Sequence, residues 1–252
     1  MLLLLPPSET KRPGGSGAPL DLGALALPAL SPQRAAALDA LVALSADPEA
    51  AAAALNLSDR QRGEIGVNAA VRTAPTMPAI DRFTGVLFDA LDAASLPAPA
   101  RGWLGDHALI QTALLGPVGA LDAVPAFRLS ASSRLAALGP LKRHWAGATS
   151  AALPGDPLVV DLRSEAYRDL GPAPGSLYVR VVAEGSDGRV RALNHFNKKT
   201  KGLFARALAL SAPDVASAGE LLAWAGGAGI DLRRSDAPGE LLLTARDEIS
   251  PR

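Results

Sequence analysis

The residues best suited to bind phosphate are concentrated in a basic run at positions 198–202, which reads KKTKG. From Arg189 to Arg206 every charged side chain is basic, although the net formal charge of the chain is zero. Because local positive potential attracts phosphate, the run predicts contacts with a row of phosphates. The residues assigned to nucleic-acid binding in this segment are Asn197, Lys198, Lys199, Lys201 and Arg206.

The same run opens a predicted helix that extends from about Lys198 to Leu210. Lys198, Lys201 and Arg206 would share one side of this helix. Gly202, which has no side chain, would let the backbone approach a phosphate closely. A solvated cationic face accounts for the pattern equally well, so both interpretations stay open.

Two more polar segments directly follow predicted strands, where sheet proteins commonly bind ligands. The first, 6–11 (PPSETK), follows an apolar run at Leu2–Leu5 that predicts a short buried strand. The second, 163–167 (RSEAY), follows a predicted strand at 158–162. Together they predict a polar cleft, although an ordinary strand exit explains each one alone. The cleft residues are Ser8, Thr10, Ser164, Glu165 and Tyr167, with Lys11 beside them.

Ser164 and Glu165 also fit a helix cap followed by an acid in the first turn. A nucleophilic Ser164 would need a base, and the sequence identifies none. We therefore favour capping as the role of Ser164.

A second basic cluster lies at 141–145 (LKRHW). Lys142 and Arg143 are its candidates for nucleic-acid contact, and the stretch from Arg128 to Arg143 contains no acid. Trp145 has a ring that can stack on a base, but a tryptophan on an Ala/Leu-rich helix is more often part of the core.

Metal and cofactor chemistry has little support in the sequence. There are no cysteines, which excludes disulfides, thiolate metal sites and cysteine nucleophiles. The histidines show no ligand spacing, and neither a Glu-x-x-His motif nor the phosphate-loop pattern Gly-x-x-x-x-Gly-Lys-Ser/Thr is present. We therefore predict no cofactor and no stable metal site.

Length and hydropathy predict one soluble domain. A chain of 252 residues with 48% hydrophobic residues can bury a sizeable core. The apolar run Met1–Leu5 stops at Pro6 and is too short for a signal peptide. No apolar stretch reaches the roughly 20 residues of a membrane helix. We expect a cytoplasmic protein with a single domain over 1–252 and no membrane partner.

The order of predicted elements mixes hairpin strands with helices. A strand at Leu177–Glu184 and a partner at Val190–Phe196 flank a glycine-containing turn. Helices are predicted at Ala79–Ala94 and Leu104–Leu115. This mixture favours an α+β fold, a mixed sheet with helical layers.

Taken together, these segments resemble one family, the peroxide stress protein YaaA family, also called UPF0246 or DUF328. The resemblance runs in the same order over nearly the whole chain. It rests on PSETK at 7–11, FTGV at 83–86, LGPV at 115–118, PAFRL at 125–129, LKRHW at 141–145, VVDLRSEAY at 159–167, KKTKG at 198–202 and GEL at 239–241.

The resemblance implies a cytoplasmic bacterial protein of the oxidative stress response that helps to limit reactive, unincorporated iron. It also implies DNA binding through a positively charged cleft, to which we assign Lys11, Arg128 and Arg163 as well. The implied α+β fold contains a helix-hairpin-helix-like element. That element would fall near 55–72, where the arginines that could reach phosphate are Arg60, Arg62 and Arg72.

Several positions depart from the family pattern. Lys201 stands where the family has arginine, which keeps the charge but loses the bidentate fork. Phe83 replaces a tyrosine, and the family's Ser-Gly-Leu-Tyr-Gly is TALLG at 112–116. The hydroxyls of those tyrosines are therefore missing from this chain.

Three functions are consistent with these observations to different degrees. The first is a non-enzymatic protein that binds DNA without sequence preference through the basic cleft. The alternative is an enzyme acting on a nucleobase, a nucleotide or damaged nucleic acid, which a cleft uniting Lys11, Glu165 and Lys199 would favour. Direct iron sequestration is disfavoured, since cysteines are absent and the histidines are scattered.

Overall fold

The structure is a computed structural model that describes residues 1–155, 158–184, 190–192 and 196–245. Helices and strands alternate irregularly along these residues, joined by loops and short 3-10 turns. In chain order they are β1 (Leu2–Leu5), α1 (Ser31–Ser45), α2 (Pro48–Ala54), α3 (Gly63–Ala69), β2 (Met77–Pro78), α4 (Ala79–Arg82), α5 (Val86–Leu91), α6 (Ala98–His107), β3 (Ala108–Thr112), β4 (Gly116–Gly119), β5 (Ala123–Val124), β6 (Arg134–Leu135), β7 (Gly139–Pro140), α7 (Leu141–Ala152), β8 (Val159–Asp161), α8 (Glu165–Leu170), β9 (Leu177–Glu184), β10 (Val190–Ala192), α9 (Phe196–Ser211), α10 (Ala218–Gly227), β11 (Leu232–Arg234) and β12 (Glu240–Thr244).

Strand β1 lies inside the main sheet, whose strand order is β11-β12-β9-β8-β1-β3-β4, with β10 paired to β9. It runs parallel to β3 on one side and to β8 on the other. All of its leucines are buried, as expected for a parallel strand that is covered on both faces. The prediction of a buried strand at Leu2–Leu5 and of a mixed α+β sheet is confirmed.

The connections that leave β1 and β8 diverge. The chain passes from β1 through helices to β3, whereas β8 is followed by α8 and then β9 on the opposite side. In open sheets with parallel strands, a crevice opens where neighbouring strands send their connections in opposite directions. The carboxyl ends of β1 and β8 therefore form the edge at which a site is expected.

Trp145 belongs to the core and not to a nucleic-acid surface. Its side chain is fully buried, and its Nε1 donates a hydrogen bond to the Ala113 carbonyl oxygen at 2.9 Å. The ring packs directly on Gly116, whose φ of +64° and missing side chain both suit that position. A Cβ at Gly116 would lie 2.7 Å from the indole ring.

The predicted helix at Leu104–Leu115 is wrong in its second half, because α6 ends at His107 and the chain continues as β3. The residues of β3 are all buried between β1 and β4, so they show neither helical nor alternating periodicity. The predicted helix at Ala79–Ala94 is interrupted at Gly85, whose φ of +93° no helix accommodates. Of the predicted hairpin partner, Val190–Ala192 forms a strand, residues 193–195 lie outside the described residues, and Phe196 begins α9.

Gly202 contacts α5, not a phosphate. A Cβ at this position would lie 2.9 Å from the Ala90 Cβ and would collide with the Leu87 carbonyl oxygen. The missing side chain therefore lets α9 and α5 pack closely, which corrects the interpretation of Gly202 as a phosphate contact.

We predict that Gly202→Ala lowers the free energy of unfolding by about 2 kcal/mol or more, because the added methyl group overlaps backbone atoms of α5. Gly226→Ala is the matched control, since a Cβ at that helical position meets nothing within 4 Å. The control is expected to be neutral or to gain up to about 1 kcal/mol. Urea denaturation of both variants measures the difference, and equal stabilities would contradict the close α5–α9 contact.

Candidate functional site

Two adjoining cavities lie at the carboxyl ends of β1 and β8. We call the larger one, of about 270 Å³, the central cavity, and the other, of about 250 Å³, the adjoining cavity. Both are lined by the loop at 6–9, by Leu87 and by Lys198. The side chains that line only the central cavity are Leu162, Ser164, Tyr167, Asn197 and Lys201.

Glu9 and Tyr167 form a hydrogen-bonded pair in the wall of the central cavity. The Tyr167 hydroxyl donates to Glu9 Oε1 at 3.2 Å. Burial raises the pKa of Tyr167, and the nearby Glu9 carboxylate raises it further. The phenol therefore stays protonated and acts as a hydrogen-bond donor. Glu9 Oε2 is buried without a hydrogen bond, and Arg128 Nη1 lies 3.6 Å from it.

Lys11 holds the loop at 6–9 in place through two hydrogen bonds. Its Nζ donates to the carbonyl oxygens of Ser8 at 3.1 Å and Glu9 at 3.2 Å. The same ammonium group lies 4.4 Å from the centroid of the Phe127 ring. Burial lowers the pKa of Lys11 to about 8, and the Glu9 carboxylate opposes this shift. Lys11 thus shapes the loop and does not line either cavity.

Hydroxyl groups line the adjoining cavity. Ser8 Oγ and Thr10 Oγ1 lie 3.1 Å apart, and Thr84 Oγ1 donates to Thr10 Oγ1 at 3.0 Å. Gly85 approaches this cluster so closely that a Cβ would lie 3.3 Å from Ser8 Oγ. The predicted cleft residues Ser8 and Thr10 are therefore brought together.

Arg163 is an internal residue. It is fully buried, and its Nε and Nη2 donate to the two carboxylate oxygens of Asp161 at 2.9 and 2.7 Å. Its Nη1 donates to the Gly171 carbonyl oxygen at 2.7 Å and to Gln111 Oε1 at 3.2 Å. The guanidinium group is thus committed to the fold, and we do not carry Arg163 into the proposed interface.

Lys201 is a buried cation at the inner wall of the central cavity. Its side chain is only 3% exposed, and its Nζ donates to the Arg163 carbonyl oxygen at 3.3 Å. The ammonium group also lies 4.9 Å from the centroid of the Tyr178 ring. Burial lowers the pKa of Lys201 to about 8, and Asp161 opposes this shift.

The first turn of α9 forms one side of the central cavity. Asn197 and Lys198 line the cavity, and Asn197 Oδ1 is buried without a hydrogen-bond partner. Lys198 and Lys199 are exposed. The amino-terminal end of a helix carries a partial positive charge, which adds to that of the lysines. This turn therefore presents positive charge to the cavity and to the surface.

Three of the four remaining basic candidates have partners elsewhere in the protein. Arg206 donates to the carbonyl oxygens of Leu91 at 2.9 Å and Asp92 at 3.0 Å, which anchors α9 to the segment after α5. Arg128 donates to the Glu9 carbonyl oxygen at 3.4 Å. Exposed Lys142 pairs with Asp169 at 2.9 Å, while Arg143 is exposed on the same helix. Neither residue lines the central or adjoining cavity.

Ser164 occupies the N-cap position of α8, but its side chain makes no capping hydrogen bond. Ser164 instead lines the central cavity. Glu165 lines a separate cavity of about 470 Å³, together with Arg168 and Asp169. The structure therefore separates Glu165 from the other cleft residues.

The segment implied to resemble a helix-hairpin-helix lies between α2 and the end of α3. Arg62 forms ion pairs with Glu49 and Asp59, and Arg72 pairs with Asp39. Arg60 is exposed. Two of the three arginines assigned to phosphate contact thus already have carboxylate partners.

Sequence reasoning missed Glu9 as a site residue. The available signal was its place between Ser8 and Thr10, directly after a buried strand. Its contact with Tyr167 joins segments that lie far apart in the sequence, and no local pattern predicts that contact.

The geometry defines an α+β protein with a polar cavity at the switch point of a mixed sheet. A family model described as peroxide stress protein YaaA matches residues 1–225. A UPF0246 protein of Corynebacterium efficiens is 43% identical over 247 residues, covering 96% of this chain and 98% of the relative. One of Streptomyces coelicolor is 43% identical over 218 residues, covering 82% of each chain. This chain therefore belongs to the peroxide stress protein YaaA family.

The buried lysine predicts a pH-dependent stability. Below pH 8 the ammonium form of Lys201 destabilises the fold, because burial lowers its pKa from the usual 10.5 to about 8. Between these values the unfolded chain holds a proton that the folded chain has released, so stability rises with pH. Lys201→Met, which removes the buried charge, is expected to be more stable than the unaltered protein below this pH window. The difference in their free energies of unfolding should shrink by up to roughly 3 kcal/mol across the window.

Urea denaturation between pH 7 and 10.5 measures this difference between the two proteins. Lys199→Met is the matched control, because it changes an exposed lysine in the same turn of α9. Its stability curve should remain parallel to that of the unaltered protein. A parallel curve for Lys201→Met would contradict a buried charge at this position.

Proposed function

We propose that this member of the peroxide stress family binds DNA, without sequence preference, through the first turn of α9. The observation that carries the proposal is the exposure of Lys198 and Lys199 at the amino-terminal end of a helix. Within the described part of the chain, neither lysine has a carboxylate partner. Their charge is therefore available to phosphate.

The proposed interface is smaller than the sequence predicts. Lys201 and Arg163 direct their charges into the interior. Arg206 donates to the Leu91 carbonyl oxygen at the end of α5. Arg143 and Arg60 are exposed elsewhere on the surface and remain candidates for additional phosphate contacts. Affinity that comes from phosphate neutralisation falls with salt, because binding releases counterions.

Replacing both exposed lysines, Lys198→Ala with Lys199→Ala, is expected to weaken DNA binding by about tenfold or more at low salt. The slope of log affinity against log salt concentration should become shallower by about 2, because two phosphate contacts are lost. Fluorescence anisotropy with a labelled duplex at several salt concentrations measures both quantities.

The matched control is Arg134→Ala with Arg234→Ala, which removes two exposed positive charges from β6 and β11. Neither position lines the central or adjoining cavity. The control is expected to keep most of the affinity. Undiminished binding by the lysine variant would contradict the proposal that this turn binds DNA.

We further propose a cytoplasmic role in which the effect on unincorporated iron is indirect. None of the described helices combines the length and the hydropathy of a membrane span. Among the described residues, no group of three or more His, Asp or Glu side chains is arranged to hold a metal ion. Anaerobic titration calorimetry with ferrous iron should show no tight stoichiometric binding; tight binding would make direct sequestration the better explanation.

The enzyme alternative required Lys11, Glu165 and Lys199 in one cleft. Lys11 binds the carbonyl oxygens of the loop and lines neither the central nor the adjoining cavity. Glu165 lines the 470 Å³ cavity, and Lys199 is exposed on the surface. These residues do not share the lining of any of the cavities described above. We therefore do not propose that catalytic set.

A further inference from the structure

We propose that the central cavity binds a terminal phosphate monoester, with Lys201 as its buried cation. The monoester would belong either to a free nucleotide or to the end of a nucleic-acid strand. The strand-end form rests on the DNA binding proposed above, whereas the free-nucleotide form does not.

The first argument is that Lys201 is a buried cation whose charge is incompletely compensated. Asp161, the acid that acts most strongly on Lys201, already accepts three hydrogen bonds from Arg163, two from side-chain nitrogens and one from the backbone N–H at 3.0 Å. Arg168 Nε lies 3.6 Å from the same carboxylate. The negative charge of Asp161 is therefore balanced mainly by Arg163 and Arg168, and less by Lys201.

The ammonium group of Lys201 also has donors to spare. An ammonium group carries three N–H donors, and within the described residues that of Lys201 makes one hydrogen bond, to the Arg163 carbonyl oxygen. A buried charge is costly unless it is paired and hydrogen-bonded. Since Lys201 lines the central cavity, an anion inside that cavity would supply the missing acceptors.

The second argument is that other polar groups converge on the same space. Asn197 Oδ1 is buried in the cavity wall without a donor, and the Ser164 hydroxyl is not used to cap α8. Lys198 adds a second cation at the same cavity. A nucleotide offers phosphate oxygens to the lysines and to Ser164, and a sugar hydroxyl or base amino group to Asn197.

The third argument is size. The central and adjoining cavities, of about 270 and 250 Å³, share walls and together exceed the roughly 300 Å³ at which small-molecule pockets begin. Pro6, Pro7 and Leu87 narrow this space. An internal phosphodiester carries a nucleoside on each side and cannot reach a buried lysine without bringing both into the cavity. A terminal phosphate needs room for one nucleotide only.

The fourth argument is charge. A phosphate monoester carries about −1.5 to −2 charges near neutral pH, compared with one for a diester, so it gains more from a buried ammonium group. The carboxylate of Glu9 lines the same cavity and would repel further phosphates. The cavity should therefore prefer a monophosphate to a di- or triphosphate.

The test compares single-stranded DNA of one sequence with a 5′-phosphate, a 3′-phosphate or hydroxyl ends, using fluorescence anisotropy. Free 2′-deoxyadenosine 5′-monophosphate is titrated alone by calorimetry and used as a competitor. At least one phosphorylated end is expected to bind about tenfold tighter than hydroxyl ends, because hydrogen bonds to a charged group are stronger than those between neutral groups. The free monophosphate should remove that advantage.

Two variants locate the site. Lys201→Met should abolish the preference for phosphorylated ends and the binding of the free monophosphate, whereas Lys201→Arg should retain both. Arg234→Met, which removes an exposed positive charge on β11 away from both cavities, is the control and should behave like the unaltered protein. Urea denaturation establishes that each variant is folded.

The outcomes separate the possible ligands. An advantage for phosphorylated ends that the free monophosphate removes identifies a strand end, whereas binding of the free monophosphate alone identifies a nucleotide. Equal affinity for all ends together with no binding of the free monophosphate overturns the proposal in the unaltered protein, without any variant. Monophosphate binding that persists in folded Lys201→Met overturns it as well. DNA with hydroxyl ends tests the first turn of α9 separately.

Discussion

The buried ion pair between Asp161 and Arg163 is the interaction on which the site depends. Asp161 is the last residue of β8, and Arg163 folds back onto it while also holding the Gly171 carbonyl oxygen at the end of α8. The Arg163 carbonyl oxygen in turn accepts the hydrogen bond of Lys201 on α9. One pair thus joins the central sheet to two helices. Breaking a buried pair by removing one partner typically costs about 3 to 5 kcal/mol, because the other charge is left uncompensated.

Position along α9 divides the basic run into surface and interior. Lys198 and Lys199 are exposed in the first turn of α9, whereas Lys201 lies further along the helix and is buried, and Arg206 anchors the helix to α5. A cluster that is uniform in sequence therefore has several physical roles. The long-range attraction of phosphate comes from the exposed pair. The buried lysine acts only at short range, on a group that enters the cavity.

Much of this arrangement was predictable, and the limits have physical causes. Consecutive leucines that stop at two prolines indicate β1, because a short continuous apolar run is typical of a strand covered on both faces. The basic helix was also found, since charge density and helical spacing are local properties. The strand β3 and the role of Gly202 were missed because each depends on a neighbour distant in sequence. The partnership of Glu9 with Tyr167 was missed for the same reason.

The contact at Gly202 links the interior of the helical layer to the dimensions of the site. Leu87, whose carbonyl oxygen leaves no space for a side chain at Gly202, also lines both the central and the adjoining cavity. Any larger residue at Gly202 would have to displace α5, and Leu87 would move with it. The aperture of the cavity is therefore set partly by a residue that touches no ligand. Relatives that differ at this position would differ in what they admit, even with identical polar side chains around the cavity.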